Sequence, residues 1–227
     1  MITRKIISFG DSFTRGTDLA DCSADHASQY TWPALMAKDF GVLYECDAVG
    51  GIGNMLIANR VLEFYEISQF KNRNFYVINW TWFERFDFLD VSLDQWRTIH
   101  PRHNNLESHF FYKHLDGETW NIVRNLHTII STINFLQSHN MGFFMTCLDD
   151  LMWTKNYDVR YTSLINALQR QVQPYMHRLD KKNFYQWAKD KKFPMGATDH
   201  PLEEAHKQAA SLLHQDFKIE LLKNDFC

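Results

Sequence analysis

Ser12 stands in Gly10-Asp11-Ser12, directly after the apolar run Lys5–Phe9, which reads as a short buried strand. A serine just past the C-terminal end of a strand lies where open α/β sheets build their sites. A helix starting near Phe13 would leave the peptide N–H groups around Ser12 free to bind an oxyanion. The same serine is equally suited to capping that helix, and this stretch alone does not separate the two roles. An activated serine also needs a base, a group that orients the base, and donors aimed at the developing negative charge. Gly50-Gly51 offers unhindered backbone N–H groups, because a chain without a Cβ lets a ligand approach closely. Asn79 and Thr81 bracket Trp80 at the end of a third strand, and Asp199-His200-Pro201 places a histidine in a loop before the last helix. Each has a plainer reading as well: a tight turn, a polar strand end, a solvated histidine.

Other clusters carry less. His100, His103, His109 and His114 fall in residues 100–114, a stretch without cysteine or clear period, which reads as loop rather than metal centre. Asp149-Asp150 reads as a solvated strand end. Gly50-x-x-Gly53 lacks the G-x-G-x-x-G spacing of a dinucleotide fingerprint. Cys22, Cys46, Cys147 and Cys227 are scattered, and the apolar settings of Cys46 and Cys147 predict buried free thiols.

The elements that must position these residues alternate strand with helix. Residues 17–29 read as loop. A helix follows, with Thr31 as N-cap, Pro33 in its first turn, Trp32, Leu35, Met36 and Phe40 at helical spacing, and Gly41 as its stop. Strands are expected over 42–49, Asn74–Trp80, 142–148 and, as a short fifth, 183–187. Helices are expected over 55–65, 118–139, 161–172 and 201–222. Residues 81–90 are too aromatic for a bare solvent loop and suit a substrate wall. The alternation predicts one α/β domain over residues 1–227, doubly wound, with a mostly parallel sheet of about five strands.

The 227 residues allow a sizeable core, and 45% hydrophobic with 22% charged residues is a globular balance. A net charge of −3 argues against a nucleic-acid partner. Aromatic residues reach 15%, a surplus that suits stacking on sugar rings. No apolar run is long enough to span a bilayer, and the first strand begins too early for a signal segment. The expected location is therefore cytoplasmic, although release by lysis or carriage on a virion would leave no trace in the sequence. Nothing in it states an oligomeric state.

Gly10-Asp11-Ser12-Phe13 resembles the first block of the SGNH (GDSL-like) hydrolases, flavodoxin-like three-layer α/β enzymes that cleave esters with a serine and a histidine. The stretch from Ala48 to Asn54 (A-V-G-G-I-G-N) is similar to their second block, with Gly51 at the oxyanion donor and Asn54 at the structural asparagine. Trp32-Pro33-x-Leu35 resembles a Ser-Trp-Pro-x-x-Leu-Ala helix of phage and bacterial relatives, with Thr31 in the serine's place. The third block, usually Gly-x-Asn-Asp, is here Asn79-Trp80-Thr81-Trp82. It is similar to a branch that writes Gly-Trp-Thr or Gly-Trp-Ser followed by an arginine, which Arg85 matches. His200-Pro201 matches the fifth block, but Ala197 stands three residues before the histidine, where those enzymes carry an aspartate.

The resemblance implies an esterase removing a small, acetyl-like acyl group from a carbohydrate or similar alcohol ester, without metal or organic cofactor. Ser12 would be the nucleophile and His200 the base. Ser12, Gly51 and either Thr81 or Asn79 would hold the oxyanion, with Asn54, Arg85 and Trp80 around the substrate. Asp199 is the nearest carboxylate, but adjacent side chains on an extended segment face opposite ways. Either the loop bends enough for Asp199, or a backbone carbonyl or distant carboxylate orients His200, or a Ser–His dyad operates. The altered third and fifth blocks also imply an alternative, a weak or inactive relative with a carbohydrate-binding or virion structural role.

Overall fold

The computed structural model describes residues 4–68, 73–155 and 157–224. The chain begins β1 (Lys5–Phe9), α1 (Ser12–Arg15), α2 (Trp32–Asp39), β2 (Leu43–Cys46), α3 (Asn54–Ile67) and β3 (Asn74–Trp80). A hairpin of β4 (Phe86–Asp90) and β5 (Gln95–Ile99) follows, then α4 (Leu106–His114), α5 (Glu118–Ser138) and β6 (Gly142–Cys147). The last third holds α6 (Thr162–Val172), β7 (Met176–His177), α7 (Phe184–Asp190) and α8 (Glu203–Lys223).

Five parallel strands form one sheet in the order β2-β1-β3-β6-β7. Every residue of β3 is buried, as befits a central strand covered on both faces. Its side chains alternate. Phe75 and Val77 join Ile6 and Phe144 beneath α2, α7 and α8, while Tyr76, Ile78 and Trp80 join Ile7, Phe9 and Met145 beneath α3, α5 and α6. Three layers result. α5 shows why its face is chosen: Ile122, Leu126, Ile129, Ile133 and Leu136 recur every three or four residues and are all buried.

The strand order reverses beside β1, since the chain passes from β1 out to β2 and then back across to β3. The loops leaving β1 and β3 therefore diverge, and a crevice opens at the C-terminal end of the sheet. Ser12 lies at that switch point.

Several expectations need correction. Residues 183–187 are not a strand. Asn183 accepts the Gln186 N–H and caps α7, and the fifth strand is the two-residue β7 instead. Phe184, Trp187 and Ala188 are spaced for one helical face, a pattern that five residues cannot distinguish from a strand. Within 81–90, Phe86–Asp90 is a strand of a separate antiparallel hairpin. Residues 100–114 end in α4, capped by Asn105 on the Ser108 N–H, and the exposed Leu106 and Phe110 hide its period. β2 is shorter than 42–49. Cys22, Cys46 and Cys147 are free thiols, but only Cys147 is fully buried, and Cys227 lies outside the described residues. No described helix is long and apolar enough to cross a membrane.

Candidate active site

The single turn of α1 is capped by Asp11, whose Oδ1 accepts the Phe13 N–H at 3.0 Å. The residue before the serine thus does the capping, and Ser12 is left as the first helical residue, among those whose N–H has no partner within the helix. Asp11 is wholly buried. Its other oxygen accepts from the Thr81 hydroxyl at 2.6 Å and from Arg85 Nη1 at 2.9 Å, which ties the end of β1 to the segment after β3.

His200 comes from the far end of the chain. Its carbonyl accepts the Gly196 N–H at 2.8 Å, and Met195 bridges Pro201, so residues 195–201 close into a tight loop over the sheet. His200 Nε2 lies 2.8 Å from Ser12 Oγ, and the Phe13 ring packs against the imidazole with 4.6 Å between centroids. The other ring nitrogen, Nδ1, faces Thr198 Oγ1 at 2.8 Å and Asp18 Oδ2 at 3.2 Å.

Asp199 does not meet this ring. The loop does bend there, with a left-handed φ of 65°, but the bend delivers the carboxylate to α7, where it accepts from the Tyr185 hydroxyl and, at 3.0 Å, from Lys189 Nζ. Those two partners hold the Asp199 carboxyl below the usual carboxylate range.

The remaining predicted residues divide between cleft and interior. Gly50 lies against Ser12, for a Cβ there would stand 3.8 Å from the serine Cβ. Gly51 is exposed with φ +81°, a conformation that L side chains rarely adopt. Thr81 is turned inward, its hydroxyl on Asp11 and its N–H on Asn54 Oδ1 at 2.7 Å. Asn79 is buried in β3 with its Oδ1 accepting from the Thr146 hydroxyl at 2.8 Å, and Trp80 is core with its indole N–H on Met145 Sδ. Thr81 presents no donor to the cleft, because its hydroxyl and N–H are already claimed, and neither Thr81 nor Asn79 is among the residues that line it. Asn54 is buried and holds Thr81 from both sides, accepting its N–H and donating to its carbonyl at 3.1 Å, with Asn125 as a third partner.

Ser12 and His200 open into a cleft of about 520 Å³, whose walls include Trp82, Glu84, Arg85, His100 and Tyr185. Trp82 and Tyr185 meet edge to face, 5.8 Å between centroids. Arg85 donates from Nη1 to Asp11 and to the Ile52 carbonyl at 2.8 Å, so its guanidinium is fixed at the cleft wall. Burial raises the Glu84 carboxyl, and burial, with lesser contributions from His103, Arg85 and Arg102, lowers His100 to about 4, which leaves His100 neutral at pH 7. Asp149 is a buried cap rather than a solvated strand end. It accepts the Phe83 N–H at 2.6 Å and the Leu151 N–H at 2.8 Å, and burial raises its carboxyl to about 6. The His100 and His103 rings lie 3.5 Å apart between centroids, tilted by 43°, and among the described residues no three His, Cys, Asp or Glu side chains converge as metal ligands would.

Sequence reasoning missed Asp18 and Thr198. Asp18 lies six residues past the serine in a polar loop, with no local pattern to single it out. The only signal was indirect: with Ala197 in place of a carboxylate, a distant carboxylate was one of the groups left to orient His200.

No family model and no curated protein matches the sequence. Solved structures do share the fold. A member of the lipolytic G-D-S-L family from Veillonella parvula aligns with a TM-score of 0.53 at 12% identity, over 95% of this chain and 99% of that one. A carbohydrate esterase family 2 enzyme with a carbohydrate-binding domain, from Corynascus thermopiles (Myceliophthora fergusii), aligns at 0.56 and 18% identity over 97% and 67%. The psychrotrophic esterase EstA from Pseudoalteromonas aligns at 0.54 and 12% over 96% and 98%. At such identities the likeness is one of fold.

Proposed function

We propose that this chain is an SGNH-type serine esterase that removes a small, acetyl-like acyl group from a carbohydrate or similar alcohol ester. The observation that carries the reading is the 2.8 Å contact between Ser12 Oγ and His200 Nε2 at the mouth of the switch-point crevice. Ser12 Oγ attacks the ester carbonyl while His200 Nε2 takes its proton. The tetrahedral intermediate collapses, the C–O bond to the alcohol breaks, and the same proton passes to the leaving oxygen. Water then repeats the sequence on the acyl-serine, giving the carboxylic acid and free Ser12.

The oxyanion falls to the Ser12 N–H and the Gly50-Gly51 turn, with the fixed Arg85 guanidinium beside them in place of Thr81 or Asn79. One such donor is worth roughly 3 kcal/mol of barrier. Trp82 and Tyr185 provide faces for a sugar ring, and Glu84 and Arg102 provide polar groups for its hydroxyls. The carbohydrate esterase among the proteins of like fold supports this substrate class.

A non-catalytic carbohydrate-binding or virion structural role is the competing reading, favoured by Ala197 in the usual carboxylate position. A fluorophosphonate probe decides between them. Labelling of Ser12, p-nitrophenyl acetate hydrolysis by wild type and its loss in Ser12→Ala support the esterase. Folded wild type that neither labels nor hydrolyses supports the binder.

A further inference from the structure

The histidine that the esterase reading uses as base lacks the aspartate expected three residues before it, yet its ring is held. We infer that Asp18, acting with Thr198, is the positioning carboxylate for His200, supplied from the loop after the nucleophile instead of from the loop that carries the histidine. The inference rests on the esterase reading for its catalytic meaning, but the geometry stands independently of it.

Proton accounting fixes the roles. Thr198 gives both its N–H and its hydroxyl hydrogen to Asp18 Oδ2, each at 2.8 Å. Its Oγ1, having spent its hydrogen, can only accept at the third contact, from His200 Nδ1. An ionised Asp18 also can only accept. Both oxygens facing Nδ1 therefore demand an N–H there, and the neutral ring has its proton on Nδ1 and a bare Nε2 towards Ser12 Oγ. That is the tautomer a general base for Ser12 requires. Burial works to raise the Asp18 carboxyl, but the Thr198 bonds and the contact with His200 outweigh it and leave the group below the usual carboxylate range.

Three features of the surroundings serve this contact. Asp18 has a left-handed φ of 76°, a conformation that aspartate tolerates better than most side chains. Gly196 leaves the space into which Asp18 fits, since a Cβ on it would stand 2.3 Å from the Asp18 Cβ and 2.5 Å from its Oδ2. The Ala20 N–H donates to Glu203 Oε1 at 2.9 Å, which fastens the Asp18 loop to the first turn of α8, just after His200. A carboxylate that merely decorated the surface would need none of these.

The test combines ring nitrogen NMR with kinetics on the full chain. In wild type labelled with ¹⁵N-histidine, the His200 signals, assigned by their loss in His200→Gln, should show protonated Nδ1 and bare Nε2 near pH 7.5. Asp18→Asn should move the ring towards the Nε2–H tautomer and lower kcat on p-nitrophenyl acetate by about 10²- to 10⁴-fold, with KM changed less than about threefold. Thr198→Val should shift the tautomer in the same direction. An Nε2–H tautomer in wild type overturns the inference without any variant. A folded Asp18→Asn protein with wild-type tautomer and kcat overturns it too, and so does a loss of kcat without a tautomer change. If wild type neither hydrolyses the ester nor reacts with fluorophosphonate, the esterase reading fails while the tautomer still judges Asp18.

Discussion

Gly196 and Asp18 approach so closely that a Cβ on the glycine would lie 2.3 Å from the Cβ of the aspartate, across a separation of most of the chain. The loop that carries His200 is thereby shaped around the loop that follows Ser12. Contact between the two loops adds to the local closure of residues 195–201 in holding the histidine.

Gly196→Ala should therefore injure activity more than stability. The new methyl has to push Asp18 aside, an overpacking cost of about 1–3 kcal/mol at a loop that has some room to shift. The carboxylate then leaves Nδ1 of His200, and kcat on p-nitrophenyl acetate should fall at least about tenfold. Urea unfolding and steady-state kinetics read the two effects separately. Wild-type kcat in a protein carrying the alanine would show that the contact has no bearing on the histidine.

The pair formed by Asp11 and Arg85 bears on stability as well as on the site. Asp11 has no exposure and the Arg85 side chain only 12%, so removing the cation leaves a buried carboxylate with the Thr81 hydroxyl and the Phe13 N–H as its partners. Arg85→Met should cost about 3 kcal/mol in denaturant unfolding. Asp11→Asn keeps a capping oxygen for α1 and should make a subsequent Arg85→Met cheaper by at least about 1 kcal/mol. Strict additivity of the two changes would refute the coupling.

His206 sets an acid limit. It is buried, and its Nδ1 accepts the Trp32 N–H at 3.1 Å where α2 begins. Burial, with a lesser contribution from His200, lowers it from 6.5 to about 3. The unfolded chain thus takes up this proton first, so the stability contribution is complete above pH 6.5 and declines as the pH falls towards 3. The slope is about 1.4 kcal/mol per pH unit for one proton. Asp149, raised to about 6, acts with the opposite sign between about 4 and 6, and His100 acts with the same sign as His206. Both persist in His206→Asn, so the difference between the two proteins isolates His206. Unfolding free energies from pH 7 to pH 4 should fall less steeply in the variant, by about one proton's worth. Parallel curves would count against a neutral, buried His206.

Much of the architecture could be read from the chain because its central strands and long helices carry strong periodic patterns. β3 and α5 bury whole faces, and burial of that extent leaves a mark on the order of residues. Short elements with few buried residues left none: β7 is two residues long, α4 exposes Leu106 and Phe110, and α7 has a spacing compatible with strand or helix. Ser12 and His200 stood out because each adjoins a recognisable boundary, the end of β1 and the start of α8. Gly51, Asn54 and Arg85 also fell near the switch point. Thr81 and Trp80 sit beside them in sequence, yet their side chains are spent inside the protein, since alternation along β3 and the demands of Asp11 and Asn54 turn them away from the cleft, while Asn79 is buried in β3 with its Oδ1 on Thr146.

By itself the sequence determined four of the sheet's five strands, their alternation with helices and the two side chains brought to the sheet's C-terminal edge, because these depend on local patterning. Tertiary structure alone decided what lies behind His200. Asp199 is the neighbour in sequence and Asp18 the neighbour in space, and a left-handed turn at each residue is what exchanges them. Such an exchange depends on how two distant loops pack, and no spacing along the chain records it.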